Sequence, residues 1–128
     1  MEKKHHTHFK VCTLNLFNYM APPNAFYESE NIYSSAQWKK KENWINKQLS
    51  FLQPDIMGFQ EVFSPKALQE LVKKQHLPYF ATVSDPGLRA HYVYDKPVVA
   101  LASKFPIVSL KTVGVTEKVL KDLKLQPD

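Results

Sequence analysis

One segment near the start of the chain constrains the fold more than any other. Residues 9–17 read Phe-Lys-Val-Cys-Thr-Leu-Asn-Leu-Phe, and in an extended conformation both faces of this segment are largely apolar. That pattern predicts a central β-strand that is covered on both sides. Asn15 interrupts the pattern, because asparagine is a poor strand former. We therefore expect Asn15 to have a local hydrogen-bonding role or to belong to a functional site.

A long helix is predicted after this strand. Residues 18–33 form a loop rich in proline, asparagine and aromatic residues, and long ordered loops are often functional. Ser-Ser-Ala-Gln at residues 34–37 is a capping box that predicts a helix start, and Pro54 predicts its end. The expected core face carries apolar residues at helical spacing, namely Trp38, Ile45, Leu49 and Leu52, and is widened by Trp44 and Phe51. The lysines Lys39, Lys40, Lys41 and Lys47 are expected mostly on the other face.

The rest of the chain alternates between strands and helices. Strands are expected at residues 55–61, 79–83, 97–102 and 107–115, a helix after Ser64-Pro65, a loop at residues 84–96 and a weakly periodic helix at residues 117–125. This order predicts an α/β fold. In such folds, ligand sites lie beyond the carboxyl ends of the strands.

Composition excludes several other classes of protein. The 128 residues are 44% hydrophobic, which is too apolar for a disordered chain, and no apolar run is long enough to span a membrane. The net charge is +5, yet sixteen of the seventeen basic residues are lysine and only Arg89 is arginine. This balance favours a solvated lysine surface over a nucleic-acid interface.

The cysteine content and the first residues bear on localisation. Cys12 is the only cysteine, so no disulfide can form within the chain. Residues 1–8 form a polar tail without a signal-peptide pattern, and we expect a cytoplasmic protein. The histidines of this tail, His5, His6 and His8, could bind a metal adventitiously, but a frayed tail is the better interpretation.

Two polar residues stand at the ends of predicted strands. Asn15 lies near the end of the first strand, and Glu61 closes the second. If these strands are neighbours, an amide and a carboxylate converge at one edge of the sheet. A carboxylate there must be paired or hold a cation, and Glu61 is placed to bind a hard divalent ion such as Mg²⁺ through oxygen. The alternative is that Glu61 caps the following turn or pairs with a lysine.

Three segments together resemble motifs of the endonuclease/exonuclease/phosphatase superfamily. They are Val-Cys-Thr-Leu-Asn-Leu-Phe-Asn at residues 11–18, Pro-Asp-Ile-Met-Gly-Phe-Gln-Glu-Val at residues 54–62 and Val-Ala-Leu-Ala-Ser-Lys-Phe-Pro-Ile at residues 99–107. Members include abasic-site endonucleases, the DNase I group, sphingomyelinases and inositol polyphosphate 5-phosphatases. The resemblance spans almost all of residues 9–115. It implies the N-terminal half of a four-layer α/β sandwich, with a mixed sheet and helices on its outer face.

The resemblance also implies roles for two residues. Asn15 matches the first-strand asparagine that contacts the region of the scissile phosphate, and Glu61 matches the glutamate ligand of the catalytic Mg²⁺ or Mn²⁺. The implied reaction is hydrolysis of a phosphoester by in-line attack of water, activated by an aspartate, while a histidine stabilises the phosphoryl group. Ser103 lies in a structural turn and receives no catalytic role.

The chain departs from the family pattern in its later motifs. The family has a later histidine, an Asp-x-Asn after a glycine and a terminal Ser-Asp-His, and none of these is present. We therefore interpret residues 9–128 as a partial domain, truncated before the remaining catalytic motifs, and expect this chain alone not to hydrolyse phosphoesters. The parent protein would be a metal-dependent nuclease or phosphatase. Its substrate would be nucleic acid, a phospholipid or a small phosphate ester.

Further contacts and a second function follow from the loops. Candidate substrate-binding residues are Asn18, Arg89, His91 and Tyr92, although polar residues beyond a turn such as Asp-Pro-Gly at residues 85–87 are commonly just solvated. The alternative function is a non-catalytic binding module that uses the aromatic and basic loops. A half domain would also leave one apolar sheet face uncovered, so we expect association with the missing half or self-association through that face.

Overall fold

The chain folds into two mixed β-sheets and three helices. The structure is a computed structural model and describes residues 8–114 and 116–124. The strands are β1 Val11–Tyr19, β2 Ala25–Phe26, β3 Ile56–Val62, β4 Tyr79–Ala81, β5 Gly87–Ala90, β6 Val93–Lys96 and β7 Val98–Ser103, and the helices are α1 Ser35–Leu52, α2 Pro65–Lys74 and α3 Glu117–Asp122. No helix within the described residues has the length and apolar character needed to cross a bilayer. His5, His6 and most of the predicted polar tail lie outside the described residues, while His8 is exposed.

The larger sheet positions the predicted site. Its strand order is β1-β3-β7-β4, in which β1 runs parallel to β3 and the other pairs are antiparallel. The buried core lies on one face of this sheet, where α1 and α2 pack on the strands. Its members include Leu16, Tyr19, Ile45, Leu49, Met57, Phe59, Leu68, Val72 and Ala102. The condition on which Asn15 and Glu61 would converge, that the first two long strands be neighbours, is met by the parallel pairing of β1 with β3.

Local signals in the sequence set the helix boundaries. The capping box is present, because the Ser34 hydroxyl accepts a hydrogen bond from the Gln37 amide and the Gln37 side chain accepts one from the Ser34 amide. Gln53 ends α1 in a left-handed conformation, directly before Pro54. Helix α2 begins with Pro65 at its first turn, as predicted. The hydroxyl of Ser64 does not cap that helix but accepts from the Ala21 amide at 2.8 Å.

The prediction that the first strand is covered on both sides is wrong. Strand β1 is an edge strand, and only one of its faces meets the core. On the other face Val11 is exposed, together with side chains of neighbouring strands: Tyr79, Val99 and Leu101. We call this surface the open face. No layer among the described residues covers it, apart from part of residues 107–110, which line a cavity of about 380 Å³ against it.

Two aromatic residues of α1 also lie elsewhere than predicted. Ile45 and Leu49 are buried and Trp38 and Leu52 pack against the core. Trp44 is 48% exposed and Phe51 is 84% exposed, so neither widens the core face. The reason is that, at about 100° per residue, Trp44 and Phe51 lie about 120° around the helix from the centre of the face that carries Trp38, Ile45, Leu49 and Leu52.

Three other element predictions need correction. The loop predicted for residues 84–96 is one only at residues 84–86, since β5 and β6 form an antiparallel hairpin over residues 87–96. Strand β6 also pairs with β2, within the predicted loop of residues 18–33, to give a three-stranded sheet of order β2-β6-β5. Residues 107–114 are not a strand, because they pair with no strand of either sheet. Val115 lies outside the described residues, as does Leu125 of the predicted last helix, which is formed as α3.

Candidate functional site

The strands β1 and β3 are both irregular at one point, near their carboxyl ends. Asn15 pairs with Gln60, but the next pair is Tyr19 with Val62, so β1 carries extra residues at this point. Strand β3 has its own shift against β7 beside Glu61. Such bulges often lie next to functional sites, because they redirect side chains.

Three residues of this irregular region have left-handed backbone conformations. The φ angles are 49° for Phe17, 62° for Asn18 and 59° for Glu61. None is a glycine, and the conformation costs about 1–2 kcal/mol for each non-glycine residue. Strain of this kind persists only where the surroundings hold it. We call Phe17, Asn18 and Glu61 the bulge.

Hydrogen bonds hold the bulge from several sides. The Asn15 side-chain oxygen accepts from the Phe17 amide at 2.9 Å. The Phe17 carbonyl accepts from the Lys41 ammonium at 2.8 Å and from the Tyr33 hydroxyl at 3.2 Å. The backbone amide of Asn18 donates to a Glu61 carboxylate oxygen at 3.1 Å. Asn15 therefore has the local hydrogen-bonding role that its place in a strand suggested, and its catalytic role stays a prediction.

The Glu61 carboxylate sets the local electrostatics. Burial raises the pKa of Tyr33, and the Glu61 charge raises it further. Burial also raises the pKa of Tyr27, with added effects from Glu61 and Asp95. The pKa of Lys41 is lowered by burial, which the attraction of Glu61 partly opposes. Burial is thus the main cause of all three pKa shifts, and the Glu61 charge is a second cause that the three side chains share.

Glu61 has neither of the structural roles considered for it. Within the described residues the one ion pair joins Lys104 to Asp55, so no lysine pairs directly with Glu61. In the described part of the chain its carboxylate accepts a hydrogen bond from the backbone amide of Asn18 in β1, so Glu61 caps the bulge and not the following turn. The Glu61 carboxylate, which can accept about four hydrogen bonds, retains free acceptor positions.

Asn18 contributes an oxygen atom whose needs are not met. Its side-chain Oδ1 is buried and has no hydrogen-bond partner in the described part of the chain. A buried oxygen without a donor is costly, and a cation is one way to satisfy it. Amide and carboxylate oxygens are the ligands that Mg²⁺ and Mn²⁺ prefer, so the chemistry of Asn18 and Glu61 fits such an ion. Residues 8–114 and 116–124 contain no group of three His, Cys, Asp or Glu side chains that could hold a metal by themselves.

The other predicted substrate contacts lie on the smaller sheet. Arg89 and His91 are exposed on the β5–β6 hairpin, and in the described residues neither hydrogen-bonds to Glu61. The Tyr92 hydroxyl donates to the Ser29 carbonyl at 3.4 Å, which ties the hairpin to the loop before α1. The structure therefore brings Asn15, Asn18 and Glu61 together, and it shows no polar contact between them and Arg89, His91 or Tyr92.

Sequence reasoning missed two contributors to the site. Lys41 was expected mostly on the solvent face of α1, but it is half-buried and reaches the Phe17 carbonyl. The available signal was its position four residues before the buried Ile45, which puts the two side chains on the same side of a helix. Tyr33 gave no comparable signal, because its place depends on how the loop before α1 folds back.

Comparisons of the chain with protein-family models, with curated proteins and with solved structures found no match. The relation to the endonuclease/exonuclease/phosphatase superfamily therefore stays a prediction that rests on the three segments quoted above.

Proposed function

We propose that the chain is the N-terminal portion of a divalent-metal-dependent phosphoesterase of the endonuclease/exonuclease/phosphatase superfamily. Glu61 would be a ligand of its Mg²⁺ or Mn²⁺. The observation that carries the proposal is the bulge, where the Glu61 carboxylate has spare acceptor capacity and accepts from the backbone amide of Asn18, whose buried side-chain Oδ1 has no partner in the described part of the chain.

The positions of the three resembling segments support the same proposal. They fall on β1, β3 and β7, which are adjacent in the larger sheet. The residues that the resemblance assigns to the site, Asn15 and Glu61, lie on neighbouring parallel strands near their carboxyl ends, one register step apart. This is the edge at which open α/β sheets bind ligands.

The chain's own residues would divide the work as follows. Glu61 and Asn18 would hold the metal, which when bound polarises a phosphoryl oxygen and offsets developing negative charge. Asn15 would keep the Phe17 peptide in place and face the scissile phosphate region. Lys41 and Tyr33 would fix the strained carbonyl of Phe17, so that the site is ordered before substrate binds.

The remaining catalytic groups would come from a complementary segment. The base and the phosphate-binding histidine that the resemblance requires are not in the sequence. We further propose that the open face receives the second mixed sheet of a four-layer sandwich, and that the 128-residue chain alone does not turn over a phosphoester. A chain with its open face uncovered should self-associate, and a clean monomer in analytical ultracentrifugation with low binding of an apolar dye would contradict this.

The activity test compares two glutamate variants of the parent protein. Hydrolysis of bis-p-nitrophenyl phosphate is measured with Mg²⁺ or Mn²⁺ in the wild type, in Glu61→Gln and in Glu70→Gln. Glu70 is exposed on α2 and serves as the matched control. Loss of a metal ligand should lower kcat/KM by at least about 100-fold in Glu61→Gln and leave Glu70→Gln unchanged. Activity that survives Glu61→Gln would rule out the metal-ligand assignment.

A second candidate is a non-catalytic module that binds single-stranded nucleic acid through its aromatic and basic loops. The partial exposure of Tyr27 favours it. Against it, the loop aromatics pack on one another, with ring centroids 5.1 Å apart for Phe26 and Tyr33 and 5.4 Å for Tyr27 and Phe63. Salt-sensitive binding of single-stranded DNA that is lost in Arg89→Ala would support this function, and absence of such binding would exclude it.

A further inference from the structure

Helix α1 carries an outward stripe that neither the core nor the bulge uses. It consists of Lys40, Trp44, Lys47 and Phe51, at spacings of four, three and four residues. At about 100° per residue these four side chains fall within an arc of about 60°, and the centre of the arc lies about 150° around the helix from the midpoint of Ile45 and Leu49. Lys40, Trp44 and Lys47 line one shallow depression, which confirms that they share a face. We call these four residues the α1 stripe.

The aromatic side chains of the α1 stripe are not used in packing the core. Trp44 is nearly half exposed and Phe51 is more exposed still, while Ile45 and Leu49 on the inner face are buried. Isolated exposed apolar residues are ordinary. Two aromatic side chains two turns apart on one helix face, each flanked by a lysine, form a continuous amphipathic surface instead.

The charge around the α1 stripe is almost entirely positive. Glu42 is the only acidic residue of α1, and it accepts a hydrogen bond from the Tyr19 hydroxyl at 3.4 Å on the inner side of the helix. The end of α2 lies beside the stripe, because Gln75 hydrogen-bonds Asn46 and Ser50 at 3.1 Å each. That end adds the exposed Lys73 and Lys74. The one acidic residue of α2 is the exposed Glu70, three residues before Lys73.

We propose that the α1 stripe docks the protein on the surface of an anionic lipid membrane. Trp44 and Phe51 would enter the boundary between headgroups and acyl chains. The lysines would lie along the surface with their aliphatic stems buried and their ammonium groups at the anionic headgroups. This interaction is independent of the proposed phosphoesterase activity.

The shape of the surface favours a membrane over single-stranded nucleic acid. Proteins that bind single strands use a basic groove that follows the backbone. The α1 stripe lies on the outer side of a single helix, and its shallow depression is lined by that helix alone, so it suits a flat, deformable surface better than a strand that needs a groove. The only arginine, Arg89, which would be the best bidentate phosphate partner, lies on the β5–β6 hairpin and not on α1.

The first test measures co-sedimentation of the chain with vesicles. The probes are phosphatidylcholine vesicles with about 30 mol% phosphatidylserine and vesicles of phosphatidylcholine alone. We expect the partition coefficient to be at least about tenfold higher for the anionic vesicles and to fall as salt is raised. Equal partition into both vesicles, or none into either, would overturn the proposal.

The second test assigns the binding to the α1 stripe. The double variant Lys40→Glu/Lys47→Glu should lower partition into anionic vesicles by at least about twentyfold, since each lysine near such a surface contributes about fivefold. The control Lys111→Glu/Lys118→Glu makes the same change in net charge at exposed positions outside α1 and should lower it by less than about threefold. An equal loss in both double variants would overturn the proposal.

The third test follows the aromatic residues. Tryptophan emission should shift to the blue when the wild type binds anionic vesicles and should not shift in Trp44→Phe, because Trp38 is packed on Tyr19 with ring centroids 4.5 Å apart. A blue shift that persists in Trp44→Phe would overturn the proposal. So would tight binding of single-stranded oligothymidylate that depends on Lys40 and Lys47 in a protein that does not bind vesicles.

Discussion

Strand β3 has a carboxylate at each end, and the two have opposite environments. Asp55 precedes the strand and accepts from the Lys10 backbone amide at 2.7 Å and from the Lys104 ammonium at 3.2 Å. The hydrogen bond from Lys10 and then that from Lys104 lower the pKa of Asp55. Glu61, near the other end, accepts from the Asn18 amide alone and pairs with no lysine in the described part of the chain.

The difference separates a structural carboxylate from a candidate ligand. The backbone of Asp55 also joins the start of β1 to the end of β7. Its amide donates to the Lys10 carbonyl, and its carbonyl accepts from the Lys104 amide. Its hydrogen-bonding capacity serves the fold. The Glu61 carboxylate lies in a strained bulge that other residues hold in place, and it keeps acceptor positions that the fold does not use. The two ends should therefore respond differently to the same type of substitution.

The largest effect on stability is expected at the Asp55 end. Asp55→Asn removes the ion pair with Lys104 and weakens the hydrogen bond from Lys10. The melting temperature at pH 7 should therefore fall more than in the variants at Lys41, Tyr33 and Glu61. Asp85→Asn, in an exposed loop, is the control and should leave it unchanged. Thermal unfolding followed by circular dichroism measures both. A melting temperature unaffected by Asp55→Asn would remove the contrast between the two ends.

The Asp55 contribution should also depend on pH in a defined direction. The pKa of Asp55 is lower in the folded chain than the ordinary value of about 4, so its stabilisation is complete above that ordinary value. The stabilisation is lost as the pH falls through the lowered pKa. The difference in melting temperature between wild type and Asp55→Asn should thus be constant from about pH 7 to pH 5 and shrink below about pH 4. A difference that grows on acidification would contradict the assignment.

A smaller effect is expected where Lys41 holds the bulge. Lys41→Met keeps the aliphatic stem but loses the hydrogen bond to the Phe17 carbonyl, which should lower the free energy of unfolding by about 1 kcal/mol. Tyr33→Phe should cost about 0.5 kcal/mol, because Lys41 still donates to the same carbonyl. Lys40→Met, on the outer side of the helix, is the matched control. Urea unfolding of the three variants tests this order, and equal values for Lys41→Met and Lys40→Met would contradict it.

The smallest effect on stability is expected at Glu61 itself. Glu61→Gln keeps an oxygen that can accept from the Asn18 amide and removes a partly buried, unpaired charge, so the free energy of unfolding should change by less than about 0.5 kcal/mol. The same urea experiment measures it, with Glu70→Gln as control. A large loss of stability would mean that Glu61, like Asp55, serves the fold.

Regular elements with local signals could be predicted from the sequence. Helix α1 follows from its capping box and Pro54, and β3 and β7 follow from short apolar runs. The β5–β6 hairpin could not be predicted, because its turn carries no glycine. His91 supplies the left-handed conformation, with φ of 50°. The strand predicted for residues 107–115 is wrong although its apolar residues alternate, because such a pattern forms a strand only where it pairs with the edge of a sheet.

The candidate site was predictable in part. Asn15 and Glu61 could be paired from the sequence because each ends an apolar strand and parallel neighbours share an edge. The left-handed bulge carries no glycine signal, so neither its strain nor the orphaned oxygen of Asn18 could be read from the residues. Lys41 was misplaced because lysine is usually exposed, whereas its long aliphatic stem can be partly buried while its ammonium group reaches a backbone carbonyl. Trp44 and Phe51 were misplaced because their apolar type was given more weight than their spacing, which puts them on a different side of the helix from Ile45 and Leu49.

Binding of Mn²⁺ tests the role of Glu61 most directly. Paramagnetic broadening of backbone amide resonances during a Mn²⁺ titration locates the ion even when binding is weak. In the wild type and in Asp55→Asn, broadening should be strongest at the amides of Asn18 and Glu61, and Glu61→Gln should require at least about tenfold more Mn²⁺ for the same broadening. Broadening that is centred near Asp55, or that is unchanged in Glu61→Gln, would contradict the account.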